Sequence, residues 1–492
     1  MKLMQSFKYL STLQIILRET TRPLAYFAIF CSFILLLSCN KLVDVDAPIT
    51  STNATLVYNN DATAIATLNS IYTKLSQQGI GSGITSISLF SGLSADELKV
   101  FDDVTDPNFL SFYQNSLTAN ISGNGDFWTN IYSSYIFQTN AIIEGLTSSR
   151  ELTPTVKNQL MGEALFLRAF FYFYLVNLYG DVPLVLSTDY KVNSQLSRSK
   201  KTDVYNQITN DLKDAQSLLS DTYLDGTLLN KSEERISPNK WVATALLARV
   251  YLYNSDWNNA EIESSKIIEN ISLYDTVPLE EVFLINNKEC IWQLQSVSSF
   301  VTNTSEAMLF MLPETGPNAD PYKVYLSNNI VNSFEQGDKR FKLWTDSVVT
   351  NNVTYYFPTK YKIKDPETTP SERSVIFRLS EQYLIRSESR ASLGNLSGSL
   401  SDINIIRNRA GLPSLSLSSK NEILESILHE RQVELFTEWG HRWLDLKRLN
   451  LANHVLAPIK GNNWQTTDQL YPIPMNEIIK NTQLQGHQNP GY

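Results

Sequence analysis

The stretch over residues 160–183, LMGEALFLRAFFYFYLVNLYGDVP, constrains this chain more than any other. Between Arg168 and Asp181 it holds twelve residues without a charge, nearly all apolar or aromatic. A bilayer span needs about 20 such residues, so the run reads as too short to cross one. It reads instead as a helix buried on most of its circumference and stopped by Gly180, with Pro183 just beyond. A helix that apolar needs others packed around it. The predicted fold class is therefore mostly α, with this element at its centre.

Lys2, Lys8, Arg18 and Arg22 precede an uncharged run over residues 23–40, centred on AYFAIFCSFILLLS. Basic then apolar is the order of a secretory signal. The basic part is long, which leaves Met1 or Met4 as the start of translation. The run ends Leu36-Leu37-Ser38-Cys39, similar to the lipobox of bacterial lipoproteins, and that similarity implies cleavage before Cys39 and diacylation of its thiol. The rival readings are an uncleaved anchor helix and an ordinary signal with a chance cysteine. A short apolar run with the cysteine at its very end favours lipidation. Residues 1–38 are thus expected to be a signal peptide and 39–60 a lipidated, polar tether. Residues 61–492 form the helical domain. The acidic stretch behind Cys39, with Asp44 and Asp46, resembles signals that send lipoproteins to the cell surface.

Two of the three cysteines, Cys31 and Cys39, fall in this N-terminal segment, leaving Cys290 as the only thiol well inside the mature chain. That excludes a disulfide scaffold and a cysteine-rich metal site. The formal net charge of −9 argues against a nucleic-acid partner, whose binders show a basic face.

Helical periodicity marks residues 61–76, with Ile65, Leu68, Tyr72 and Leu75 on one face, and a second helix capped by Asp126. Pro154 stands where a first-turn proline would open the central helix. Thr202 or Asp203 caps the next helix, and Ser237-Pro238 opens NKWVATALLARVYLYN. Only Ser255 and Asp256 separate that helix from WNNAEIESSKII. Ala248, Tyr251, Trp257 and Ala260 there are similar to a tetratricopeptide hairpin, in which small residues let two helices approach closely. A like hairpin follows in VIFRLSEQYLIRSESRASLGN and LSDINIIRNRAGL. About four hairpins are expected, interrupted by a loop-rich insertion over residues 273–372 with short β-like pieces such as CIWQLQ and VTYYFPTKY. Long loops in a helical frame usually carry function, so the insertion is the candidate binding region.

Residues 421–450 read as one closing helix on which Glu430, Glu434 and Glu438 form a stripe of like charge. Such a stripe needs facing cations; Arg431, Arg442 and Arg407 or Arg409 are available. Glu438, His441 and Asp445 are also conceivable as an acid–base site. No nucleophile or metal-ligand spacing accompanies them, so a buried ion-pair network is the simpler reading.

Taken in order, MGEALFLRAFFYFYLVNLYGDVPLV, SPNKWVATALLARVYLY, INIIRNRAGL, HERQVELFTEWGHRWLDLKR and YPIPMNEIIKNTQLQGHQNPGY resemble the SusD/RagB family of nutrient-capturing surface lipoproteins of Gram-negative bacteria. The resemblance runs from Cys39 to Tyr492. It implies four tetratricopeptide-like hairpins, a variable loop region, no catalysis and no cofactor. It further implies a SusC-like TonB-dependent outer-membrane barrel as partner, over which the lipoprotein closes as a lid.

The expected function is therefore capture of a ligand, preferably an oligosaccharide, for delivery to that transporter. Sugars present apolar C–H faces on which aromatic rings stack. Phe101, Trp292, Tyr322, Trp344, Tyr355 and Tyr356 are the candidate ligand-binding residues, each with core packing as the competing role. The alternatives are peptide capture for an oligopeptide importer and a surface glycosidase. The latter needs two carboxylates about 5–10 Å apart across a cleft. Asp96 with Glu97 and Asp102 with Asp103 are the adjacent pairs, and a solvated turn is the simpler reading of each.

Overall fold

The computed structural model describes residues 57–120, 125–298, 301–364 and 369–492. The expected signal peptide, the lipidation site Cys39 and the tether through residue 56 lie outside the described residues. The last tether positions do not behave as tether. The Tyr58 ring is buried so closely against Gly145 that a Cβ there would stand 2.0 Å from it.

Helix α1 (Asp61–Gln77) is capped by Asn60, which accepts from the Thr63 amide at 3.0 Å, and buries Ile65, Leu68, Ile71 and Leu75. α2 (Ile87–Ser94), strand β1 (Leu98–Val100) and α3 (Pro107–Gln114) follow. Asp126 caps α4 (Phe127–Asn130), which continues through a π-helical turn into α5 (Phe137–Ser148). The central helix α6 (Pro154–Tyr179) does open on Pro154 and does end at Gly180, which sits at φ 75°. It is longer than the charge-free run suggests. It is long and apolar enough to cross a membrane, yet 94% of its apolar window is buried inside the fold.

Every residue of α6 from Gly162 to Tyr179 is buried. Gly162 permits the closest approach, since a Cβ there would meet Leu219 at 2.7 Å. The buried basic and acidic residues on the helix, Arg168 and Glu163, both have hydrogen-bond partners. Arg168 donates to both oxygens of Asp211 at 2.7 and 2.8 Å and to Asn140 at 3.1 Å. Glu163 accepts from Tyr72 and Gln159. Phe170 lies among Phe166, Tyr174, Trp292, Phe377 and Trp439, with ring centroids 5.2–6.2 Å away. Truncating a ring so enclosed costs about 3–5 kcal/mol.

The helices α7 (Lys201–Leu218), α8 (Lys240–Tyr253) and α9 (Trp257–Ile268) stack in sequence from α6. α9 then packs on α12 (Leu379–Ser392), which is followed by α13 (Leu396–Arg409) and α14 (Lys420–Glu434). This is the expected run of helical hairpins. Two caps differ from expectation: Asn239 rather than Ser237 caps α8, and Lys200 precedes α7 with no side-chain cap. The segment VIFR is strand rather than helix. It forms β6 (Ser374–Arg378), antiparallel to β2 (Cys290–Leu294). Between them lie α10 (Ser305–Phe310), β3 (Val324–Leu326), α11 (Lys339–Trp344) and the hairpin of β4 (Thr345–Thr350) with β5 (Val353–Pro358). β3 pairs with β1.

The closing helix is not continuous over residues 421–450. α14 ends at Glu434, and α15 (His441–Arg448) starts after a turn in which Thr437, Trp439 and Gly440 all take positive φ. The turn drives Trp439 inward, where its backbone amide donates to Ser88 Oγ at 2.9 Å and its indole to Val375 O at 3.0 Å.

The glutamate stripe survives the break because cations come from elsewhere. Arg340 and Arg407 hold Glu430; Arg340, Arg378 and Arg409 hold Glu434; Lys360 and Arg378 hold Glu438. Burial pushes the Glu434 carboxyl up, but the charges of Arg409, Arg378 and Arg340 outweigh it and hold the group well below the usual carboxylate range. Arg431 and Arg442 serve other acids, Asp445 at 2.7 Å and Asp96 at 2.8 Å.

The last segment closes the end of α6. Tyr471 donates its amide to Leu178 O at 2.9 Å, and the Asn489 side chain donates to Tyr179 O at 2.9 Å and to Tyr471 O at 2.7 Å.

Candidate ligand-binding face

β1 alternates buried Leu98 and Val100 with half-buried Lys99, so one face joins the core and the other turns outward. β3 repeats the pattern, with Tyr325 outward between buried Val324 and Leu326. The register sets Lys99 opposite Tyr325, and the ammonium lies 6.0 Å from that ring's centre. Phe101 extends the ladder by donating its amide to Lys323 O at 2.9 Å. The β4–β5 hairpin turns through Asn351 and Asn352, both at positive φ, as a tight two-residue loop requires. It brings Tyr355 against this edge.

Three half-buried rings from separate segments therefore meet. Tyr355 packs its centroid 5.0 Å from Tyr325 at 89° and 6.1 Å from Phe101 at 67°. The rings are edge to face, so they form a corner rather than a flat platform. Half-buried Tyr113 is held nearby in the same charge field, its backbone carbonyl accepting from Lys460 at 2.7 Å. Burial first, and the exposed Asp102 second, raise both the Tyr113 and the Tyr325 phenols, the latter to about 12. Both phenols stay protonated at neutral pH. The face thus combines apolar ring surface with hydroxyl donors, the Lys99 ammonium and the Asp102 carboxylate.

The other expected residues are placed differently. Trp292 is fully buried against Phe166, Phe170 and Phe377 and donates its indole to Ile236 O at 2.9 Å. Trp344 is 1% exposed, packed on Phe283, and donates to Leu279 O at 3.0 Å. Neither ring presents a face to a ligand; both are core residues. Tyr356 follows Tyr355 on a strand, so its ring turns to the opposite side and packs on Phe341 at 5.7 Å. Half-buried Tyr322 sits apart from the three rings, with the Lys364 ammonium 5.3 Å from its centre. Only Phe101 and Tyr355 of the six come together. Tyr325 joins them unforeseen, although the alternation Val-Tyr-Leu carried that signal.

Of the acids considered for catalysis, Asp96, Glu438 and Asp445 are held in ion pairs. Asp96 accepts both bonds of the Arg442 guanidinium at 2.8 Å. Buried Glu97 is raised to about 8 by desolvation and by Asp96. Asp102 and Asp103 form the exposed turn. Asp445 is held by Arg431 and Arg448, and Glu438 by Lys360 and Arg378. Buried His441 is kept neutral by desolvation and surrounding arginines.

Known proteins share this arrangement of elements. The chain matches the family described as "SusD family" over residues 187–492. A second, described as "Starch-binding associating with outer membrane", matches residues 46–252. "SusD-like protein P2" of Formosa agariphila is 26% identical over 388 residues, 68% of this chain and 74% of that protein. A SusD superfamily protein from Bacteroides vulgatus superposes with a TM-score of 0.75 at 23% identity, covering 87% of this chain and 98% of its own. A "Laminarin binding SusD-like protein" does so at 0.71 and 21% identity, covering 88% and 100%.

Proposed function

As the chain belongs to the SusD family, we propose that it is a non-catalytic surface lipoprotein that captures an oligosaccharide on the corner formed by Phe101, Tyr325 and Tyr355. The observation that carries this reading is that corner, the place where expected aromatic residues converge with ring surface still open to solvent. A pyranose laid against one ring would meet the edge of the next, while Lys99 and Asp102 reach its hydroxyls. The laminarin-binding protein of the same fold supports a glycan as the ligand class. The family description placing a member at the outer membrane supports the location, together with Cys39 behind its apolar leader. Acyl chains on Cys39 hold the protein there facing outward, and the ligand passes to a SusC-like TonB-dependent barrel.

Isothermal titration of the mature domain with laminarin, starch and other glycan oligosaccharides tests the site. Phe101→Ala and Tyr355→Ala are each expected to weaken binding by about tenfold while the domain stays folded, with only a modestly lowered melting temperature. Flat traces across all glycans would refute it. Co-purification of a large outer-membrane protein with the tagged chain tests the partner, and loss of palmitate label in Cys39→Ala tests the anchor.

A further inference from the structure

A polar cavity of about 750 Å³ opens where α6 ends, α7 begins and α15 ends, roofed by the segment over residues 466–470 and by His487 and Asn489. Its charge runs against that of the molecule. The chain carries a net charge of −9, yet Arg198, Lys201, Lys447 and Arg448 line this cavity against one carboxylate, Asp181. Arg448 is neutralised by Glu388 at 2.6 Å and Asp445 at 2.7 Å. Among the described residues, none of the other three makes an ion pair. Asp181 accepts the Lys201 backbone amide at 2.7 Å, and its charge opposes the effect of burial on Arg198 and Lys201 without pairing either.

Helix capping accounts for part of this arrangement. Arg198 is fully engaged, donating to Tyr179 O at 3.2 Å, to Asp181 O and His487 O at 2.7 Å and to Asn489 Oδ1 at 2.6 Å. Lys447 donates to Asn177 O with its ammonium 5.2 Å from the Trp443 ring centre, so both answer carbonyls at the negative end of α6. Capping does not account for the rest. Among the described residues the Lys201 ammonium has no such acceptor, lying 5.5 Å from the Tyr205 ring centre at the positive end of α7. Burial and the like charge of Lys201 together hold the Lys447 ammonium well below the usual lysine range. Two lysines of like charge lining one cavity, beside a helix N-terminus, are an arrangement an oxyanion relieves.

We propose that this cavity is a second ligand site, for a sugar-sized molecule carrying a carboxylate, sulfate or phosphate group. Its volume exceeds the needs of a bare oxyanion and falls among those of small-molecule pockets, about 300–1,000 Å³. Thr466, Thr467 and Gln469 line the same cavity and supply hydroxyl and amide groups. The charged substituent lies between Lys201 and Lys447, and the ring hydroxyls face the threonines.

Titration calorimetry of the full chain in detergent, with glucuronate, galactose 6-sulfate, glucose and sodium sulfate as probes, tests the site. The two charged sugars are expected to bind at least about tenfold more tightly than glucose and to weaken with added salt. Lys201→Glu and Lys447→Gln should each lose about tenfold, whereas Phe101→Ala should change nothing, which separates this site from the aromatic corner. Lys201 is exposed, so its variant reports on binding even where Lys447→Gln fails to fold, and melting temperatures establish which variants are folded. No binding of either charged sugar, or unchanged binding in Lys201→Glu, would overturn the site. Sulfate binding as tightly as galactose 6-sulfate would overturn its assignment to a sugar.

Discussion

Glu434 gathers three arginines around one carboxylate. Its carboxylate meets Arg378 and Arg409 at 2.5 Å and Arg340 at 2.8 Å, all out of solvent. Removing one member of such a group strands the others, at a cost of about 3–5 kcal/mol. Glu434→Gln should therefore lower stability by that amount in urea unfolding. Because its folded pKa is depressed, its contribution is present at neutral pH and disappears only as pH falls below the ordinary carboxylate value of 4.5. Glu97 behaves oppositely. Its folded carboxyl keeps a proton up to about 8, while the unfolded chain releases it near 4.5. Stability thus falls as pH rises between those values, and Glu97→Gln should flatten that part of the pH–stability curve.

At the scale of elements, the break between α14 and α15 matters most. Gly440 holds φ 75°, and a Cβ there would stand 2.9 Å from Ser91 Oγ. Gly440→Ala should cost at least about 1–2 kcal/mol from the left-handed backbone alone, read as a lowered midpoint in thermal unfolding. This break also shows where the sequence was silent. Leu435, Phe436, Trp439 and Trp443 continue a helical spacing across it, and a single glycine is a weak stop signal when the apolar period runs on. The central helix was legible, since Gly180 and the charge-free run before it have few other meanings. So were the hairpins α8–α9 and α12–α13. The candidate face was legible only in part. Trp292 and Trp344 look identical in sequence to Phe101 and Tyr355; what separates them is tertiary pairing. β2 reaches β6 across 80 residues of chain and carries Trp292 into the core. Likewise the cations for the glutamate stripe, Arg340, Lys360 and Arg378, come from segments with no local relation to it.

At the scale of the whole molecule, an α-helical frame carries the β1–β3 and β4–β5 ribbons, so the Phe101–Tyr325–Tyr355 corner depends on strands rather than on the helices that dominate the mass. The frame in turn depends on its final residues. Asn489→Ala should cost about 1–3 kcal/mol, because Tyr471 O loses a buried donor and Tyr179 O keeps only Arg198. Hydrogen exchange should then rise first at the end of α6. Asn489 lies 310 residues beyond Tyr179. During synthesis, a greasy rod of membrane-compatible length therefore emerges long before its final stopper exists. Any route that carries the chain across one bilayer without leaving it stranded there must keep the nascent polypeptide loose until its last stretch has been delivered.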